Sequence, residues 1–145
     1  MSAAQRYVEI MDTTLRDGEQ TSGVSFSPSE KLTIAQFLLT EVKVDRIEIA
    51  SARVSDGEFA AVKAITRWAK ENGFLNQVEV LGFVDGDTSV QWTQKAGARV
   101  MNLLTKGSLN HLTHQLKKKP EQHFDEVAAV IALAKKKGID CNVYL

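Results

Sequence analysis

Tyr7-Val8-Glu9-Ile10-Met11-Asp12-Thr13-Thr14-Leu15-Arg16-Asp17-Gly18-Glu19-Gln20 is the stretch on which the reading of the fold turns. Its first half, Tyr7 to Asp12, has the composition of a strand. Its second half sets a cation and a carboxylate side by side on a glycine-containing turn at that strand's end, where side chains can converge on a small anionic ligand. A metal-assisted active site begins in this way.

Working outward, short β-branched runs alternate with longer amphipathic ones. Ser27, Pro28 and Glu30 supply an N-cap, an N1 proline and a capping-box acid for a helix running to about Glu41. Arg46 to Ala50 reads as the second strand. A helix from Ser55 and Asp56 to Gly73 follows, with Phe59, Val62, Ile65 and Ala69 on one stripe. Gln77 to Val84 is the third strand, Thr88 to Gly97 a shorter helix, and Arg99 to Leu104 the fourth strand. Two helical pieces come next: one capped by Ser108 with Leu109, Leu112 and Leu116 on a common face, the other from Pro120 with Phe124, Val127, Ala128 and Ile131 before Gly138. Asp140 to Leu145 is the fifth strand.

Such alternation predicts an α/β fold of parallel strands joined by right-handed helical crossovers. A doubly wound sheet and part of an eight-stranded barrel both satisfy it. The polar and charged signals all follow strand carboxyl ends, which share one rim in a barrel. A doubly wound nucleotide binder calls instead for a glycine-rich turn after its first strand, and neither GxGxxG nor GxxxxGK followed by Ser or Thr occurs. The barrel reading is preferred: four βα units plus a fifth strand, the N-terminal half of a (βα)8 TIM barrel, with residues 1–145 one partial domain.

The 145 residues suffice for one real core. Their 18 basic and 18 acidic side chains balance, so no global field recruits nucleic acid or an anionic membrane. Cys141 is the single cysteine, which excludes an internal disulfide. With no apolar run near the ~20 residues a membrane span requires, a cytoplasmic protein is expected.

Asp12 to Gln20 resembles the signature of the Claisen-condensing, metal-dependent barrels, the isopropylmalate, citramalate and homocitrate synthases. The likeness extends through Gly23 to Ser27, Arg46 to Ser55, Leu81 to Gly86, Asn102 to Ser108 and Asn142 to Leu145, blocks most similar to the citramalate synthase branch. The resemblance implies condensation of acetyl-CoA with an α-keto acid. By matching position it gives Arg16 as donor to the keto oxygen and Asp17 as ligand to a divalent ion, Mg²⁺ or Mn²⁺ with Zn²⁺ as the further choice. A hard cation suits oxygen ligands and polarises a carbonyl, and Arg16 would stabilise the developing alkoxide. Gln20 is expected to orient Arg16 or the substrate. Glu48, on a buried strand, needs a partner because an unpaired buried carboxylate is costly. Leu81, Leu104 and Tyr144 resemble the positions lining the substrate pocket. Their bulk favours a methyl over an isopropyl group, hence pyruvate as acceptor and citramalate as product, with 2-oxoisovalerate and isopropylmalate as the alternative. A homocitrate acceptor would bring a second carboxylate, and the homocitrate enzymes usually carry Glu where this chain has Asp17.

Bland readings accompany these. An Arg-Asp pair in a turn is ordinarily a surface ion pair, and Leu81 and Leu104 would ordinarily be core. His111, His114 and His123 are expected at the surface, the lysine runs 117–119 and 135–137 at solvated helix ends, and Cys141 in the core. Ser51, Ser55 and Ser108 lack a histidine base. No His-x-His pair is present, so the residues through Leu145 are expected not to turn over substrate alone. Open edges on the first and fifth strands invite pairing, so a homodimer is expected. A non-catalytic half-barrel module that self-associates is the reading from a different class.

Overall fold

The computed structural model describes residues 7–145. Five strands form one sheet in the order β1 (Met11–Asp12), β2 (Arg46–Ser51), β3 (Val78–Phe83), β4 (Val100–Leu104) and β5 (Asp140–Tyr144). Every neighbouring pair is parallel. Helices α1 (Pro28–Phe37), α2 (Asp56–Asn72), α3 (Thr88–Lys95), the single turn α4 (Leu109–His111) and α5 (Pro120–Lys136) connect them. The sheet curls. Tyr144 on β5 brings its phenol oxygen 3.4 Å from Met11 Sδ on β1, so the two ends of the strand order meet across the concave face. Five parallel strands in sequence order, curled in this way and joined by helices, make a half barrel.

Local chemistry explains most boundaries. Ser27 and Glu30 form the full capping box at the start of α1: the Ser27 side chain accepts from the Glu30 N–H and the Glu30 carboxylate accepts from the Ser27 N–H. A cap of this kind contributes about 1 kcal/mol. Ser55 caps α2, and Gly73 ends it with φ of 83°, a left-handed conformation that favours glycine. Alternation along the strands sends Ile47, Ile49, Val80, Met101 and Leu103 outward. There they pack beneath the helices with Val62, Ile65, Ala69, Val90, Val130 and Ala134 in two apolar clusters. Gly82 shares that outward face; a Cβ at this position would stand 2.4 Å from Met101 Sδ, so the methionine of β4 fills the space that a side chain on β3 would need.

Four expectations are corrected. The first strand does not extend back to Tyr7. Ahead of Met11 the chain faces the turn preceding β2: the Ile10 carbonyl still accepts from the Asp45 and Arg46 amides, both at 3.1 Å, but the Asp45 carboxylate takes the Ile10 N–H at 2.7 Å and the Tyr7 hydroxyl, so on the N–H side a side chain stands where a ladder partner would. Leu109 is exposed while Leu112 is buried, because α4 passes at once into a wider turn over Leu112–Leu116 that abandons the 3.6-residue period. In α5 the buried positions are His123, Val130 and Ala134, whereas Phe124 is 63% exposed. Residues 127–134 are apolar all round, so their periodicity left the facing side open by one residue. His123 is therefore not a surface residue. Its Nε2 accepts a long bond of 3.5 Å from the Lys106 N–H, and its buried Nδ1 has no partner among the described residues. His111 and His114 are exposed as expected. Cys141 is half-buried against the second cluster, and burial, with Asp140 nearby, pushes its thiol pKa up.

Candidate active site

The loop after β1 is tightly wound. The Thr13 carbonyl accepts from the amides of Arg16, Asp17 and Gly18 at 3.0, 2.8 and 3.1 Å. Asp12 holds the Thr14 amide at 2.9 Å and its hydroxyl at 3.1 Å. Leu15 plugs into the core at 0% exposure, which turns Arg16 toward the concave side. From beneath, Lys31 of α1 anchors the loop. Its ammonium, 1% exposed, donates to Glu58 of α2 at 2.5 Å and to the Leu15 carbonyl at 3.3 Å, and it is ion-paired with Glu19 at 2.5 Å. The other Glu19 oxygen takes the Phe26 N–H at 3.0 Å.

Arg16 is clamped between two carboxylates. Its Nε donates to Glu48 at 2.5 Å and one terminal nitrogen donates to Asp17. Glu48 is fully buried and Asp17 is 53% exposed, so one carboxylate fixes the guanidinium and the other stands at the rim. A guanidinium has five N–H donors. Three of Arg16's therefore remain without a partner among the described residues. The partner that Glu48 was expected to need is Arg16, aided by Asn102, whose amide donates to Glu48 at 2.7 Å. Sequence reading did not single out Asn102 or Lys31. Lys31 had a signal: positions 31, 35 and 39 form one buried stripe, and the first of them carries a lysine.

Gln20 is exposed and lines, with Arg16, Glu19, Ser51 and Glu58, a cleft of about 130 Å³; no hydrogen bond joins it to Arg16. Leu81, Leu104 and Tyr144 occupy concave-face positions near the ends of β3, β4 and β5, with Leu104 directly opposite Tyr144 in the ladder. Leu81 is 4% exposed. Burial, reinforced by Glu48 and Glu79, pushes the Tyr144 phenol up to about 12 from its ordinary 10.0. The unfolded chain then gives up this proton first, so stability falls as pH rises from 10 towards 12. Urea midpoints measured across that range are expected to fall less steeply in Tyr144→Phe than in the parent chain; equal slopes would remove the phenol as the cause.

The described residues include no group of three or more His, Cys, Asp or Glu side chains placed to hold a metal ion. Asp17 offers a single carboxylate, short of the six oxygens a hard divalent ion takes. The expected metal centre is not complete in these residues.

A family model described as HMGL-like matches residues 7–145. The chain belongs to the HMGL-like family. A putative (R)-citramalate synthase of Methanopyrus kandleri is 36% identical over 136 residues, 94% of this chain and 26% of that protein. A 2-isopropylmalate synthase of Oceanobacillus iheyensis is 33% identical over 132 residues, 90% and 25% of the two chains. A homocitrate synthase of M. kandleri is 38% identical over 135 residues, 91% and 32%. This HMGL-like chain thus spans about a quarter to a third of the length of these relatives. An HMG-CoA lyase from Acinetobacter baumannii, solved with coenzyme A and 3-methylmalate, superposes with a TM-score of 0.62 at 19% identity over 99% of this chain and 46% of that one, which shows the shared fold. No helix among the described residues is long and apolar enough to cross a membrane.

Proposed function

We propose that the chain forms the Arg16-bearing half of a barrel that condenses acetyl-CoA with an α-keto acid, with pyruvate the preferred acceptor. The observation that carries this reading is the clamped guanidinium of Arg16, with three N–H donors unengaged among the described residues at the strand ends. The keto acid is an anion with an adjacent carbonyl oxygen, and both can accept from such a fork. Once a base from the rest of the barrel has taken a proton from the acetyl methyl, the carbanion attacks the keto carbon and the carbonyl π electrons move to oxygen, giving an alkoxide that is then protonated. Arg16, already oriented by Glu48, stabilises that alkoxide without reorganising. Hydrolysis of the thioester then releases free CoA and leaves a 2-hydroxy diacid. A divalent ion would polarise the same carbonyl; Asp17 is the donor these residues would offer it, alongside others beyond them.

Leu81, Leu104 and Tyr144 support the choice of pyruvate, because their bulk at neighbouring positions leaves less room beside the keto carbon. In a polypeptide carrying the whole barrel, CoA release is expected with pyruvate at a kcat/KM at least about tenfold above that with 2-oxoisovalerate, the discrimination that lost apolar fit provides. Asp17→Ala is expected to abolish it. Preference for 2-oxoisovalerate would overturn the acceptor, and no keto-acid-dependent release would overturn the reaction. A second reading is favoured by the edges: among the described residues β1 pairs only with β2 and β5 only with β4, so the half barrel can join a second copy. Chains that associate through these edges yet release no CoA would establish that module instead.

A further inference from the structure

Behind Arg16 the concave face carries a continuous polar ladder. Glu48 Oε2 takes the Arg16 Nε–H at 2.5 Å, and its Oε1 takes the Asn102 amide at 2.7 Å. Asn102 Oδ1 accepts from Asn142 Nδ2 at 3.2 Å, and the same Asn142 nitrogen donates to Glu79 Oε2 at 2.9 Å. Glu79 Oε1 takes an Arg46 N–H at 2.6 Å, and Arg46 continues to Glu9 at 2.8 Å. Glu48, Glu79 and Asn102 are all 0% exposed. Two buried carboxylates therefore lie in one network, each with a guanidinium on its outer side and the two asparagine amides between them.

The orientation of Asn102 follows from its partners. A carboxylate only accepts, so the Asn102 NH2 must face Glu48, and Oδ1 is left for the Asn142 donor. With both ends of the amide fixed, Oε1 of Glu48 is pinned and Oε2 is the oxygen presented to Arg16. We propose that Asn102 is a positioning residue for the rim: it sets the Glu48 carboxylate and, through it, the direction of the Arg16 guanidinium. Its bearing on catalysis rests on the function proposed for Arg16, whereas its bearing on the geometry of Arg16 does not. Leucine at 102 would leave Glu48 Oε1 without a donor in a fully buried place, and the guanidinium would lose its fixed seat.

Two readouts separate these levels. In the ¹⁵N-labelled chain, the Arg16 Nε–H signal, assigned by its loss in Arg16→Lys, reports the Arg16–Glu48 bond directly. Asn102→Leu is expected to speed its exchange with solvent by about tenfold or more, as befits a weakened bond to a charged acceptor. Val80→Ala truncates the outward face; it is expected to lower stability and leave that exchange unchanged. If Asn102→Leu does not fold, Asn102→Ser, too short to reach Glu48, carries the same expectation. In a polypeptide with the whole barrel, the same substitution is expected to lower kcat for CoA release by about tenfold or more with KM for acetyl-CoA unchanged, the loss of an interaction realised in the transition state. Arg16 exchange equal to that of the parent chain or of Val80→Ala would overturn the proposal. Absence of CoA release from the parent barrel would overturn the function proposed for Arg16, and the exchange measurement would still decide the role of Asn102.

Discussion

Replacing Arg16 by leucine is expected to lower folding stability by about 3–5 kcal/mol, the loss that follows when a buried ion pair is deprived of one member. The reason is Glu48. Its carboxylate is fully buried, and without Arg16 the amide of Asn102 is its sole remaining partner among the described residues. Glu48→Leu is expected to be milder, since Arg16 is 15% exposed and retains Asp17. The double variant, with no charge left to desolvate, should recover much of what Arg16→Leu lost, so the cycle should show a coupling of about 0.5–3 kcal/mol between neighbours. Urea denaturation of the four chains measures this. Strict additivity would mean that the two side chains do not meet as described.

Lys31→Met is expected to produce the second large loss, roughly 3 kcal/mol, the lower end for a broken buried pair because Glu19 and Glu58 keep 21% and 17% exposure. The lost cation would leave two carboxylates facing each other beneath the Arg16 loop. Hydrogen exchange should then quicken at the amides of residues 16–18, whose shared acceptor is the Thr13 carbonyl, more than at those of α5. Adding Glu19→Gln and Glu58→Gln should restore most of the stability by removing the repulsion. A uniform rise in exchange along the chain would instead identify Lys31 as a general core residue with no particular hold on the loop.

Both predictions rest on partners that the sequence disclosed unevenly. The order of strands and helices was legible because their limits are written in local chemistry: Ser27, Pro28 and Glu30 at one helix, Ser55 and Gly73 at the next. The rim was legible through Arg16 and Asp17, which are adjacent in sequence and joined in space. What sequence order hides is contact across the concave face. Asn102 and Glu48 lie 54 residues apart, and Asn142 and Glu79 lie 63 apart. Only strand register brings them together, and a one-residue shift would turn each to the other face. His123 was misread for a related reason: the apolar run that follows it does not declare which side faces the sheet. Gln20 shares the cleft with Arg16 but makes no bond to it, so of its two expected roles the orienting of Arg16 has no contact behind it.

Labelled acetyl-CoA tests the central claim most directly. A polypeptide carrying the whole barrel would be incubated with pyruvate and acetyl-CoA trideuterated in the methyl group, and the acids formed would be weighed by mass spectrometry. Carbon–carbon bond formation removes one methyl hydrogen, so the account predicts a 2-hydroxy diacid with two deuteriums, formed in step with free CoA and absent with Asp17→Ala. Release of CoA with only trideuterated acetate would show simple thioester hydrolysis and contradict it.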